Sequence, residues 1–176
     1  MLIAVICFIG GILFLSPSAK KTRVLFDFES ADDLKKIHWK CHTLFHLSPQ
    51  HATHGRYCLQ MTCYPSDYPG FYFFFAPQNW TPYSRLCFDI YNSEKSIVRM
   101  TAILTDRIEW PEHKNKFRVP ITLKPGINHV CVEIKDACIG EGGENHNLTS
   151  ITRLLLIMPH ISMKKEVYID YIRLVS

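Results

Sequence analysis

The sequence predicts an all-β fold, a single antiparallel β-sandwich closed by its own ends. Three observations carry that reading. Short runs of β-branched, aromatic and aliphatic residues recur with polar residues at alternate positions, and helical periodicity is nearly absent. Gly, Pro and Asn punctuate these runs at the spacing an all-β sandwich requires. Matching strand-like runs that carry acids stand at either end, Val24-Leu25-Phe26-Asp27-Phe28-Glu29 and Val167-Tyr168-Ile169-Asp170-Tyr171-Ile172-Arg173-Leu174. Acids are poor strand formers, so their placement asks for a reason. In a sandwich closed by its termini that reason is often a bound cation.

The elements follow in order. Ser30-Ala31-Asp32-Asp33-Leu34-Lys35-Lys36 reads as one capped helical turn, with Ser30 as N-cap and Asp33 three residues on. Thr53-His54-Gly55-Arg56 is a turn before a strand over Tyr57 to Cys63. Phe71 to Phe75 is too apolar to face water throughout and reads mostly as core. Leu86, Phe88 and Ile90 share one face of the next strand, with Asp89 on the wetter side. Val98, Met100, Ala102 and Leu104 oppose Arg99, Thr101 and Thr105, and Val130, Val132 and Ile134 alternate with His129, Glu133 and Lys135. Lys124-Pro125-Gly126-Ile127-Asn128 suits a type II turn.

With 176 residues, 47% hydrophobic and 20% charged, the chain has room for one ordinary domain and a short leader. The net charge of +4 is modest and its Lys and Arg are scattered, which argues against nucleic acid as a partner. Residues 1–19 hold no charged side chain, and the apolar run Leu2 to Leu15 is shorter than the roughly 20 residues that span a bilayer. Ser16-Pro17-Ser18-Ala19 offers small residues for signal peptidase. The expectation is a signal peptide over residues 1–19 and an exported β-sandwich domain over 20–176. The leader lacks a basic n-region, and Lys20, Lys21 and Arg23 flank its far side. That pattern keeps an uncleaved N-terminal membrane anchor as the alternative.

Cys7 falls in the leader, leaving Cys41, Cys58, Cys63, Cys87, Cys131 and Cys138, an even set that allows fifteen pairings. Cys58 and Cys63 would sit on opposite faces of one strand about 16 Å apart, beyond the roughly 7 Å limit of a bridge. Free cysteines acting as small core residues remain equally open.

Several apparent signals carry no chemistry. His38, His42 and His46 would share one face of a strand, but steps of about 13 Å exceed the reach of one zinc, so they read as exposed, with Trp39, Cys41, Phe45 and Leu47 inward. Asp106, Glu109 and Glu112 lie in one loop and read as solvated rather than as a glycosidase pair. No nucleophile motif or phosphate loop appears, so the chain is not expected to be an enzyme.

The order Phe26-Asp27-Phe28-Glu29, Thr53-His54-Gly55-Arg56-Tyr57-Cys58-Leu59, Tyr91-Asn92, Leu123-Lys124-Pro125-Gly126-Ile127-Asn128 and Ile169-Asp170-Tyr171-Ile172-Arg173-Leu174 resembles the galactose-binding-like jelly rolls found as carbohydrate-binding modules beside bacterial polysaccharide-degrading enzymes. The resemblance covers about residues 24 to 176. It implies a glycan or polysaccharide ligand and a structural calcium where first and last strands meet. Glu29 and Asp170 are then the side-chain ligands, Asp27 the third, and carbonyls near Gly55 and Arg56 complete the shell. The competing reading gives Glu29 and Asp170 to caps and backbone amides. These modules commonly have Asn after the last-strand Asp, where this chain has Tyr171. Sugars stack on aromatic rings, and Trp110 and Tyr68 stand in polar loops with Arg107 nearby, while Arg99 would serve an open-face groove. Two alternatives of other classes stand beside this one. One is a protein-binding assembly domain resembling the intermediate-associated proteins of respiratory complex I, which share a similar jelly roll. The other is an accessory fragment of a glycosidase.

Overall fold

The structure, a computed structural model, describes residues 21–106, 117–134 and 147–176. Its eleven strands are β1 (Thr22–Phe26), β2 (Ile37–Cys41), β3 (Thr43–Ser48), β4 (Cys58–Cys63), β5 (Gly70–Gln78), β6 (Arg85–Asn92), β7 (Val98–Thr105), β8 (Phe117–Leu123), β9 (Gly126–Glu133), β10 (Ile151–Ile157) and β11 (Lys165–Val175). All pairings are antiparallel. One sheet runs β3-β4-β11-β6-β9, with β1 also on β11, and the other runs β2-β5-β10-β7-β8. The predicted sandwich is therefore present. The leader over residues 1–19 and Cys138 lie outside the described residues.

Alternation builds the core. Phe71 and Phe73 of β5, Phe88 of β6, Leu154 and Leu156 of β10, and Ile169 of β11 are fully buried between the sheets. Phe26 stacks on Phe73 with centroids 4.0 Å apart, so the first strand is packed across the sandwich. The helical turn α1 (Ala31–Leu34) forms as expected, its N-cap Ser30 Oγ accepting from Asp32 N. Gly126 takes φ +87, the left-handed value a type II turn demands after Pro125.

Two expectations change. His38 and His46 do not share a strand, because His42 at φ +44 breaks the run and sends β2 into one sheet and β3 into the other. His38, His42 and His46 are nonetheless exposed. Asp89 lies on the outer side of its sheet but is only 5% exposed. Thr53 Oγ1 donates to its Oδ2 at 2.9 Å, and His129 Nδ1 and Arg173 Nη1 stand 3.0 and 3.6 Å from its Oδ1.

The bookends meet where β11 changes partner. Its first half pairs β4 over Lys165 to Ile169, and its second half pairs β1 from Ile172 on. The register slips between Asp170 and Arg173, with Tyr171 at φ +49. A partner switch leaves ladder groups and a connecting loop in need of hydrogen bonds. Asp170, 1% exposed, supplies them. Its Oδ2 accepts from Thr53 N at 2.7 Å, His54 N at 2.9 Å and Thr53 Oγ1 at 3.2 Å, and its Oδ1 accepts from Tyr171 N at 2.7 Å. Glu29 Oε1 accepts from Arg56 N and Tyr57 N at 2.7 and 2.8 Å. Gly55, at φ +71, admits this approach, because a Cβ there would overlap the Glu29 carboxylate. His51 on Tyr91 and His54 on Tyr171 stack at 3.6 and 4.1 Å, pressing the rest of the loop onto the sheet.

Cys87 and Cys131, directly opposed on β6 and β9, form a disulfide across 44 residues, whereas Cys41, Cys58 and Cys63 are free. Cys58 is buried under the loop, its Sγ donating to Gln50 O at 3.0 Å, and burial and the Asp170 charge push its thiol up to about 12. The chain-entropy treatment of the closed loop gives the bridge about 4 kcal/mol. Urea unfolding of a Cys87→Ser/Cys131→Ser variant should therefore show a loss of about 2–4 kcal/mol, and reductant should affect the parent alone.

The two clasp carboxylates respond to acid in opposite senses. The Tyr57 and Arg56 amides hold Glu29 below its ordinary value of 4.5, so its contribution is complete above that value and fades as pH falls through the lowered one. Burial raises Asp170 against the pull of its His54, Thr53 and Tyr171 donors, so its contribution declines as pH rises through that raised value. Glu29→Gln keeps an acceptor but no charge. Its melting temperature should fall below the parent's at neutral pH, and the gap should narrow as pH drops below 4.5, with Asp170 common to both.

Candidate functional site

Of the residues the sequence singled out, Glu29, Asp170 and Asp27 belong to the clasp. A calcium shell needs six to eight oxygens turned toward one point. Here Asp170 Oδ2 already accepts three donors and Glu29 Oε1 two, all of them N–H or O–H groups of the loop or of Thr53. Asp27 Oδ1 accepts from Glu29 N at 3.3 Å. Among the described residues no group of three or more His, Cys, Asp or Glu side chains converges as a metal site. As placed, the acids fit amide donors rather than a shared cation.

The five-stranded sheet offers a different surface. Its inward residues fill the core, so the intervening ones face outward: Tyr72 and Phe74 on β5, Arg153, Leu155 and Ile157 on β10, Arg99, Thr101 and Ile103 on β7, and Arg118 on β8. The register sets Tyr72, Leu155, Ile103 and Arg118 in one line across four strands, which spans about 14 Å. Ile103, Leu155 and Ile157 form a small buried cluster at the centre, with Tyr72 packed against it. Half-buried Tyr72 and Phe74 and exposed His38 make an aromatic group on one flank. The His38 ring lies 6.2 Å from Tyr72, nearly parallel, and 5.6 Å from Phe74, edge-on. The Arg153 guanidinium lies 5.4 Å from the Tyr72 ring and 5.9 Å from that of Phe74.

Tyr68 and Arg99 come together at one end of this face. Tyr68 is 51% exposed and packs on His160 with centroids 5.6 Å apart. His160 is fixed by Asp67, through its N to Asp67 O at 2.8 Å and its Nδ1 beside Asp67 Oδ1 at 3.2 Å. Arg99, His160, Ile161, Ser162 and Lys165 then line a shallow recess. Arg107 and Trp110 lie outside the described residues. They follow Thr105, which pairs with Arg153 at the opposite end of the face from Tyr68.

Sequence reasoning read Tyr72 and Phe74 mostly as core and His38 as exposed without a role, and singled out nothing at Arg153. The run Phe71 to Phe75 reads as uniformly apolar. Strand alternation still puts odd positions inward and even positions outward, and Tyr72 is the one polar ring in it.

No family model and no curated protein matches the chain. Among solved structures it is similar to an exo-β-agarase, with a TM-score of 0.67 at 18% identity, over 86% of this chain and 24% of that one. It is also similar to a family 11 carbohydrate-binding module from Clostridium thermocellum, solved with a β-1,3-1,4-mixed-linked tetrasaccharide. The TM-score there is 0.67 at 13% identity, over 87% of this chain and 94% of that one. A family 30 module of a cellulosomal cellulase from Clostridium thermocellum matches at a TM-score of 0.51 and 12% identity, over 80% and 86%. The chain thus spans about a quarter of the agarase but nearly all of the family 11 module. The fold is an antiparallel two-sheet β-sandwich like those of the family 11 and family 30 carbohydrate-binding modules.

Proposed function

We propose that this chain is an exported, non-catalytic module that binds a glycan on the outer face of its five-stranded sheet. The observation that carries the reading is the outward group of His38, Tyr72 and Phe74, with Arg153, only 7% exposed, packed beside the two larger rings. The apolar C–H face of a pyranose stacks on such rings, and the exposed His38 imidazole can pair with its hydroxyls. The likeness in fold to a family 11 module solved with a tetrasaccharide supports this. Tyr68 and Arg99 extend the surface at one end, and Trp110 and Arg107 are proposed contacts from the segment after β7. The disulfide supports an oxidising compartment and so export. No observation favours the assembly-domain alternative.

Affinity electrophoresis in gels containing mixed-linkage β-glucan, agarose or charged polysaccharides tests the reading. The parent should be retarded by at least one of them. Tyr72→Ala should abolish that retardation while the variant still unfolds cooperatively, and Trp110→Ala should weaken it. Failure of every polysaccharide to retard the parent would sink the proposal.

We further propose that amide-to-carboxylate hydrogen bonds close the clasp without calcium. A ligand held only by the folded state raises the melting temperature by mass action, so chelation reads the difference directly. EDTA should leave the parent melting curve unchanged. A drop that calcium reverses, and that Asp170→Ala removes, would restore the cation.

A further inference from the structure

Charge is divided unevenly between the two sheets. The strands of the six-stranded sheet carry four Lys or Arg residues, Arg23, Arg85, Lys165 and Arg173, and four acids, Asp89, Glu133, Glu166 and Asp170. The strands of the five-stranded sheet also carry four, Lys40, Arg99, Arg118 and Arg153, and no Asp or Glu at all. The net charge of the whole chain, +4, thus equals that of these five strands.

Three of the four arginine and lysine positions face outward by register. Arg99 and Arg118 are exposed on the β7–β8 flank, and no described residue forms an ion pair with either. They stand four residues apart along the strands, since Arg118 pairs with Ile103, which is about 13 Å. Arg153 and His38 stand on the other flank, beside Tyr72 and Phe74. Two described acids at the ends of the face each have a partner. Asp67 holds His160, and Asp106 Oδ2 accepts from Asn147 N at 2.8 Å.

A neutral sugar asks a protein for rings and for a mixture of donors and acceptors. Its hydroxyls donate as well as accept, so carboxylates and amide oxygens are useful on such a face. Arginines without a single carboxylate supply donors only, in the fork geometry that suits sulfate and carboxylate oxygens. We infer that the glycan bound by this face is polyanionic, bearing sulfate esters or uronate carboxylates, with Arg99 and Arg118 holding its acid groups and the His38–Tyr72–Phe74 group stacking its rings. The inference rests on the glycan-binding reading above and names the ligand class of the same site.

The test compares retardation of the full chain in gels of agarose, a sulfated galactan, a polyuronate and mixed-linkage β-glucan, with duplex DNA as a polyanion that carries no pyranose. The sulfated galactan or the polyuronate should hold the protein, and which of them does so identifies the acid group. Retention should weaken steeply as NaCl rises, because exposed charge pairs are screened within about 10 Å at 0.1 M salt. Arg99→Gln and Arg118→Gln should each weaken it about ten-fold, and Tyr72→Ala should remove it while leaving any weak attraction to DNA. Equal retention by agarose and sulfated galactan would overturn the polyanion inference yet leave glycan binding intact. Retention by DNA as strong as by any glycan would overturn it as mere charge attraction. No retention by any polysaccharide would overturn both readings together.

Discussion

The structure depends on one constraint, the change of partner along β11. A strand that pairs β4 in its first half and β1 in its second leaves a gap between those two neighbours. The bulge at Tyr171 and the loop of residues 49–57 fall into that gap. Their backbone amides have no strand partners there and need other acceptors. Asp170 and Glu29 accept those amides, five N–H groups between them. The same contacts hold the loop against the outer side of the six-stranded sheet, where it buries Asp89 and Cys58 and stacks His51 and His54 on tyrosines.

That arrangement gives the two faces of the sandwich different chemistry. On the six-stranded sheet Asp89 and Asp170 hold the loop, while Glu133 stands 3.9 Å from Arg85 and Glu166 accepts from Tyr168 Oη. The five-stranded sheet carries rings and arginines with no strand carboxylate. The proposed recognition is on the five-stranded sheet, around its buried centre, where His38, Arg99 and Arg118 are exposed. The acids that first drew attention in the sequence accept loop amides, and the proposed calcium-free clasp rests on that geometry.

Much of the fold was legible in the sequence because period-two alternation survives in single strands. Val98 to Thr105 and Leu86 to Tyr91 face as their patterns require, and Ser30 caps its turn. The site was less legible, for physical reasons. Tyr72 and Phe74 sit in a run whose every member is apolar or aromatic, so composition hides which of them face out. The break at His42 depends on one residue entering the left-handed region, which no pattern in Ile37 to Ser48 announces. The burial of Asp89 comes from Thr53, His129 and Arg173, contacts that only the tertiary structure brings together. The all-basic character of one sheet needed strand order before it could be seen, because its four Lys and Arg residues are scattered from position 40 to 153.

The assignment of recognition to the five-stranded sheet can be tested directly by following backbone amide shifts of ¹⁵N-labelled protein during titration with a sulfated galactan oligosaccharide. Perturbations confined to His38, Tyr72, Phe74, Arg99, Arg118 and their strand neighbours are the predicted result. Perturbations centred on Thr53, His54, Asp170 and Tyr171, with the five-stranded sheet unmoved, would contradict the account.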